Sequence, residues 1–151
     1  MAVADDLDRA TDSTDPQWAW VAEQTRAYLA SGGAVGHESN GLRTLILATT
    51  GRRTGVPRRT CLIYGTAGDD FVVVASKGGA DEDPAWFKNL LAEPSVGVQV
   101  GPRRFTARAR PASAAERGPL WTTMAGLFPL YDEYARKTDR VIPVVVLTPR
   151  E

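Results

Sequence analysis

The sequence predicts a mostly β fold of the α+β class: a small antiparallel barrel with helices packed on its outside. Three observations carry this. Runs rich in Leu, Ile, Val, Thr, Tyr and Phe at 43–50, 58–64 and 71–75 follow one another closely, parted only by Gly, Pro and Asp. Helical patterns fall between groups of strands rather than after each strand, so no βαβ alternation arises. Residues 71–75, Phe-Val-Val-Val-Ala, are apolar on both faces, which suits a barrel strand covered by a second layer.

Composition narrows the class. A chain of 151 residues fits one domain, and 43% hydrophobic with 24% charged residues matches an ordinary soluble protein. No apolar run approaches the roughly 18 residues of a membrane span. The N-terminus lacks a basic-then-apolar export signal, so a cytoplasmic location is expected. One cysteine, Cys61, and one histidine, His37, exclude an internal disulfide and a Cys/His-rich metal site, and no metal is expected. A net charge of zero argues against bulk nucleic-acid binding. The charge is nevertheless uneven. Residues 1–15 carry five aspartates and one arginine, residues 51–60 carry four arginines and no acid, and Arg103, Arg104, Arg108 and Arg110 form a second basic strip. Local basic patches in a neutral chain point to a discrete anionic ligand.

In chain order, residues 1–14 are small and polar and read as a frayed tail, leaving 15–151 as a single domain. Asp15-Pro16 is a capping carboxylate followed by a first-turn proline. Trp18, Val21, Ala22, Thr25 and Leu29 then recur at helical spacing until Gly32-Gly33, giving a helix over 15–32. Its aromatics Trp18, Trp20 and Tyr28 allow two placements, on its own domain or peripherally on a membrane. Docking on the domain is favoured because Arg26 is the only base in the run. His37 stands in the following loop with no partner visible in sequence, and is read as solvated. The three strands come next, with Cys61 read as a buried, inert thiol and Gly68-Asp69-Asp70 as a turn. Asp83-Pro84 repeats the cap-then-proline signal for a helix to about Ala92, with Trp86, Leu90 and Leu91 on its apolar face and Phe87 at the edge. Val96, Val98 and Val100 alternate as a half-buried strand, paired across Gly101-Pro102 with 103–110. Ser113 and Glu116 form a capping box for a helix carrying Leu120, Trp121 and Met124. Pro129 starts a short helix with Tyr131 and Tyr134 on one face. Residues 142–147 form a last strand, which Pro143 assigns to an edge or a bulge.

The candidate site is built on 45–88. The turn 51–59 offers backbone N–H groups and arginines suited to phosphate or carboxylate. Ser76-Lys77-Gly78-Gly79 offers a hydroxyl, an ammonium and close backbone approach. The helix start at Asp83-Pro84 favours negative charge, although Asp83 itself competes for the same donors. Trp86, Tyr131 and Tyr134 suit a flat ring. The glycine-rich turns match neither the P-loop nor the dinucleotide fingerprint, and neither a G-x-S-x-G motif nor a carboxylate pair in an apolar setting is present. An anion site without a nucleophile implies that a cofactor supplies the chemistry.

Three segments carry a family likeness: 49–58 (Thr-Thr-Gly-Arg-Arg-Thr-Gly-Val-Pro-Arg), 74–80 (Val-Ala-Ser-Lys-Gly-Gly-Ala) and 84–90 (Pro-Ala-Trp-Phe-Lys-Asn-Leu). With Phe128-Pro129, Tyr131, Tyr134 and Arg140-Val141-Ile142-Pro143-Val144, the chain resembles the deazaflavin (F420)-dependent nitroreductase family of actinobacteria over residues 40–148. The resemblance implies a split β-barrel of the FMN/F420-binding type and reduced coenzyme F420 as cofactor. It assigns the cofactor's acidic tail to Arg52, Arg53, Thr54, Gly55 and Arg58, with Thr50 beside them. Ala75, Ser76, Lys77 and Gly78 would line its ring end, and Pro84, Ala85, Trp86, Asn89 and Leu90 would complete the pocket. Tyr131 and Tyr134 fall on the substrate side, with Ser76 orienting substrate or aiding proton delivery. Phe128 stands where the nitroreducing member has a tyrosine, which counts against nitroimidazole reduction. The implied reaction is hydride transfer to an electron-poor acceptor: a conjugated alkene, a quinone or an activated nitroheteroarene. A phenol, with an ordinary pKa of about 10, or the serine or water would give the proton. Alternatives are an FMN-dependent split-barrel reductase and a non-catalytic carrier of cofactor or anionic lipid. The small-molecule substrate is unspecified, and the sequence leaves monomer and homodimer open.

Overall fold

The computed structural model describes residues 3–8, 10–12, 19–39 and 41–150, with the side chains of 19, 20 and 39 excepted. The proposed helix start at Asp15-Pro16, Trp18 and the side chain of Trp20 lie outside these residues.

One curved sheet dominates. Its strands are β1 (Thr11–Asp12), β2 (Glu38–Ser39), β3 (Leu42–Thr50), β4 (Pro57–Ile63), β5 (Gly65–Ala67), β6 (Asp70–Val74), β7 (Ser95–Val100), β8 (Arg103–Pro111) and β9 (Val144–Arg150). The order is β1-β4-β3-β7-β8-β9-β6-β5, with β2 on β3. The pairs are antiparallel except β1 on β4, which is parallel. Helices α1 (Ala19–Ala30), α2 (Ala85–Ala92), α3 (Ala114–Leu127) and α4 (Leu130–Arg136) complete the chain.

Strand alternation explains why the sheet curls. Leu45 and Leu47 of β3, Phe71 and Val73 of β6, Val96 and Val98 of β7, Phe105 and Ala107 of β8, and Val145 and Leu147 of β9 meet in one buried cluster. The inner face of each long strand thus faces the others, as in a barrel. The outer faces are apolar where something covers them. Val72, Val74 and Val144 pack under Met124 of α3 and Tyr131 of α4. Ile46 and Ala48 pack under Tyr28 of α1, Leu7 and Ala10. Burying each such side chain contributes roughly 1.5–3 kcal/mol.

Helix α1 docks on the barrel. Val21, Thr25 and Tyr28 are buried, and the Tyr28 hydroxyl donates to the Thr44 carbonyl at 2.9 Å while accepting from the Gly101 amide at 2.7 Å. The Ser113–Glu116 capping box forms as expected, with Arg110 holding the Glu116 carboxylate at 2.7 Å.

Several expectations change. Residues 4–8 and 10–12 are packed rather than frayed: Ala4–Leu7 forms a short 3-10 turn, Leu7 is fully buried, and β1 lies on the edge of β4. Gly97 of β7 makes this possible, because a Cβ there would strike the backbone of Val3. Pro143 is not at a sheet edge. It precedes β9, which runs between β8 and β6, and its carbonyl accepts from the Ala75 amide at 3.0 Å. Strand 95–100 is buried on both faces up to Gln99, since the N-terminal turn lies against Gly97 and covers what the pattern left to solvent. In α2 the roles are exchanged: Phe87 and Leu90 are buried, whereas Leu91 is 54% exposed.

Candidate active site

A cavity of about 1020 Å³ lies between β4, the end of β6 and the loop that follows it. Among the described residues, Thr11 and Asp12 alone pair beyond β4, opposite Arg58 and Arg59. All seven β4 residues are half-buried, so both faces of its edge reach the cavity. The roof is formed by Phe128, Tyr131 and Tyr134 from the end of α3 and from α4.

Of the residues expected for a cofactor, Arg52, Arg53, Thr54, Arg58, Ser76, Lys77, Gly78, Pro84, Ala85, Trp86 and Asn89 line this cavity. The substrate-side set Phe128, Tyr131 and Tyr134 lines it too. Fold topology therefore converges four separate segments on one space. Four expected residues do not line it: Ala75 and Leu90 are buried in the barrel core, Gly55 is exposed in the turn, and Thr50 sits at the end of β3.

The basic turn is tied down at few points. Gly51 and Val56 bond across it at 2.9 Å. The Asn89 side-chain oxygen accepts from the Arg52 amide at 3.2 Å and from its guanidinium at 3.0 Å, while Asn89 donates to Thr49 at 3.2 Å. Among the described residues, Arg53 and Arg58 form no ion pair. Arg59 is held by Asp12 at 2.5 Å and by the Leu7 carbonyl at 2.8 Å. Lys77 pairs with Glu82 at 3.0 Å.

The second loop is built differently. Lys77, Gly78 and Gly79 have φ of 45°, 63° and 84°, three successive left-handed residues. For the lysine this costs roughly 1 kcal/mol or more. Gly79 is required twice over: a Cβ there would lie 2.8 Å from the Tyr134 carbonyl oxygen. Asp83 does not cap α2, correcting the sequence reading. Its carboxylate accepts from Arg140 at 2.9 Å, and the first turn of α2, beginning after Pro84, has no side-chain cap. The Phe87 amide of that turn donates to the Pro84 carbonyl at 3.1 Å, and Pro84, Ala85 and Trp86 line the cavity.

Sequence reading missed the β4 wall (Arg59 to Ile63) and the α1 contribution of Val21 and Gln24. The signal for β4 was its lack of clean alternation, which marks a strand wetted on both faces. Cys61 lies on this wall, half-buried, and burial pushes its thiol up to about 11, so it stays protonated at neutral pH. His37 does have a partner: its Nε2 lies 2.9 Å from the Tyr64 hydroxyl, away from the cavity lining. Burial, with Tyr134 adding to it, pushes the Tyr131 phenol upward.

The donor set can be tested against an acidic cofactor. Arg52, Arg53, Arg58, Arg59 and Lys77 line the cavity, and among the described residues no Asp or Glu does. Arg53 and Arg58, which form no ion pair among the described residues, fit an anionic tail, and the aromatic end fits a flat ring. The fold is a split barrel, and its cavity suits a ligand with an anionic tail and a flat ring. The family model described as F420H(2)-dependent quinone reductase matches residues 20–149, and the chain belongs to that family. An F420H(2)-dependent quinone reductase of Mycobacterium tuberculosis is 41% identical over 127 residues, covering 82% of this chain and 85% of that one. A solved structure of an F420-H2 dependent reductase shares 35% identity at a TM-score of 0.64, covering 69% of this chain and 92% of its own. Another, described as a domain-swapped dimer, shares 34% identity at a TM-score of 0.67, covering 88% and 99%. The protein is accordingly an F420H(2)-dependent reductase whose cofactor is F420 in its reduced form.

Proposed function

We propose that this reductase acts on quinones in the cavity between β4, β6 and the α3–α4 pair. The observation that carries the reading is the cavity's polarity: cationic at Arg52, Arg53 and Arg58, aromatic at Phe128, Tyr131 and Tyr134, and without a carboxylate among the described residues of its lining. The family's description and the mycobacterial relative's name support the quinone as acceptor. The cofactor, when bound, supplies a hydride, so the chain needs no nucleophile of its own.

The protein's part is binding, orientation and a proton. Arg52, Arg53, Thr54 and Arg58 would hold the acidic tail by hydrogen bonds, charge-assisted from the arginines. Ser76, Lys77 and Gly78, with Pro84, Ala85, Trp86 and Asn89, would hold the ring end. Phe128, Tyr131 and Tyr134 would face the acceptor. Tyr131 is buried and its phenol is made a weaker acid, so it serves as a wall and a hydrogen-bond donor. The proton comes from half-buried Tyr134 or from Ser76. For assembly the reading is a homodimer, supported by the related chain described as a domain-swapped dimer.

The test is to follow oxidation of the reduced cofactor with quinones, enones and nitroheteroarenes. Quinones are expected to turn over fastest, and nitroheteroarenes slowest because Phe128 lacks a hydroxyl. Failure of every quinone would overturn the proposal. A competition titration against FMN checks cofactor choice, and light scattering checks the dimer.

A further inference from the structure

Arg140 lies in the connection between α4 and β9, and its side chain is 13% exposed. Each of its three guanidinium nitrogens donates to one loop. Nε donates to the Ala80 carbonyl at 2.6 Å, Nη2 to the Ser76 carbonyl at 2.8 Å, and Nη1 to the Ala75 carbonyl at 3.3 Å and to Asp83 at 2.9 Å. These acceptors are the two ends of the segment that carries Ser76, Lys77 and Gly78 into the cavity. A guanidinium has the fork of donors such a set requires, and an ammonium does not. The segment needs external restraint, because Lys77 occupies the left-handed region at φ 45°. Its other contact is with α4, where Gly79 sits against the Tyr134 backbone. Arg140 therefore staples the loop on one side while α4 bounds it on the other.

We propose that Arg140 is a positioning residue: by closing the 75–83 segment against α4, it sets the spacing between the Ser76–Lys77–Gly78 loop and the Tyr131–Tyr134 pair. The proposal deepens the function proposed above and rests on it for the meaning of that spacing. Arg140 does not line the cavity, so its effect on the reaction is exerted through the loop.

The experiment compares Arg140→Lys, Arg140→Ala and Gly79→Ala with the parent protein. Gly79→Ala disturbs the same loop from the α4 side with Arg140 intact. Amide hydrogen exchange is read segment by segment. Binding is read by fluorescence for F420 and for a deazaflavin riboside lacking the acidic tail. In Arg140→Lys, exchange at 76–80 is expected to rise about tenfold while β8 and β9 keep their protection. Affinity for the tail-free riboside is expected to fall by the same order, with the salt dependence of F420 binding unchanged, and kcat to fall more than KM changes. Low millimolar guanidinium is expected to restore riboside binding to Arg140→Ala. Unchanged exchange at 76–80, or a rise spread evenly over the barrel, would overturn the proposal, because Arg140 would then be idle or merely structural. Should the parent bind no deazaflavin while loop exchange still rises in the variants, the loop restraint stands and the assigned function falls.

Discussion

The two rims of the cavity are made on different principles. The turn 51–56 is exposed from Arg52 to Val56, and its external tie is one asparagine, Asn89. The loop 76–80 is half-buried, strained, stapled by Arg140 and pressed against α4. On the function proposed above, the difference matches what each rim would recognise. Charge acts over several ångströms and tolerates mobile partners, so arginines that attract an acidic tail would need little fixed geometry. A reacting centre must be placed to within a fraction of an ångström, so a rim that holds it beside the tyrosines would need the firmer build.

The comparison breaks most readily at the charged rim. Replacing Arg53 and Arg58 together by Ala should weaken F420 binding about a hundredfold, roughly 3 kcal/mol for two charge-assisted contacts. The loss should shrink as salt is added, and Tm should stay put, because neither side chain has an ion-pair partner among the described residues. An accompanying drop in Tm, measured by calorimetry, would show the turn to be structural. A smaller effect tests the asparagine tie. Asn89→Ala strands the Arg52 amide and Thr49, and should cost about 2 kcal/mol, lowering Tm by about 6 °C. An unchanged Tm would mean the turn is looser than its hydrogen bonds suggest. The smallest effect is a control remote from both rims. Arg110 and the Ser113 cap hold the Glu116 carboxyl at about 2, below its ordinary 4.5. A depressed pKa stabilises the fold above the unfolded value, so this contribution is complete above about pH 4.5 and is lost as pH falls toward 2. Circular dichroism over that window should report fraying at the start of α3, with exchange in the 76–80 loop unmoved.

Much of this was legible from the chain. Strand alternation, the turns at Gly51 and Gly68, the capping box at Ser113 and the likeness around 49–58, 74–80 and 84–90 were local signals. What escaped was decided by partners far away in sequence. Leu7 is a single apolar residue among aspartates, and its burial depends on the outer face of β3 and on a glycine in β7. Asp83 had a local role available as a cap, and lost it to an arginine 57 residues on. The phase of α2 was misjudged because Phe87 competes with Leu91 for the core, and only the barrel says which one enters. Arg140 was visible as part of a likeness, but nothing in its neighbourhood announces that its acceptors lie some 60 residues earlier.

Lys77 has a consequence for anyone redesigning this barrel. A left-handed backbone favours glycine, so a search for thermostability would select Lys77→Gly and be rewarded with a higher melting temperature. The same choice would erase a cation from the cavity and leave three glycines in a row where the loop now has two. At this position, selection for durability and selection for turnover pull in opposite directions.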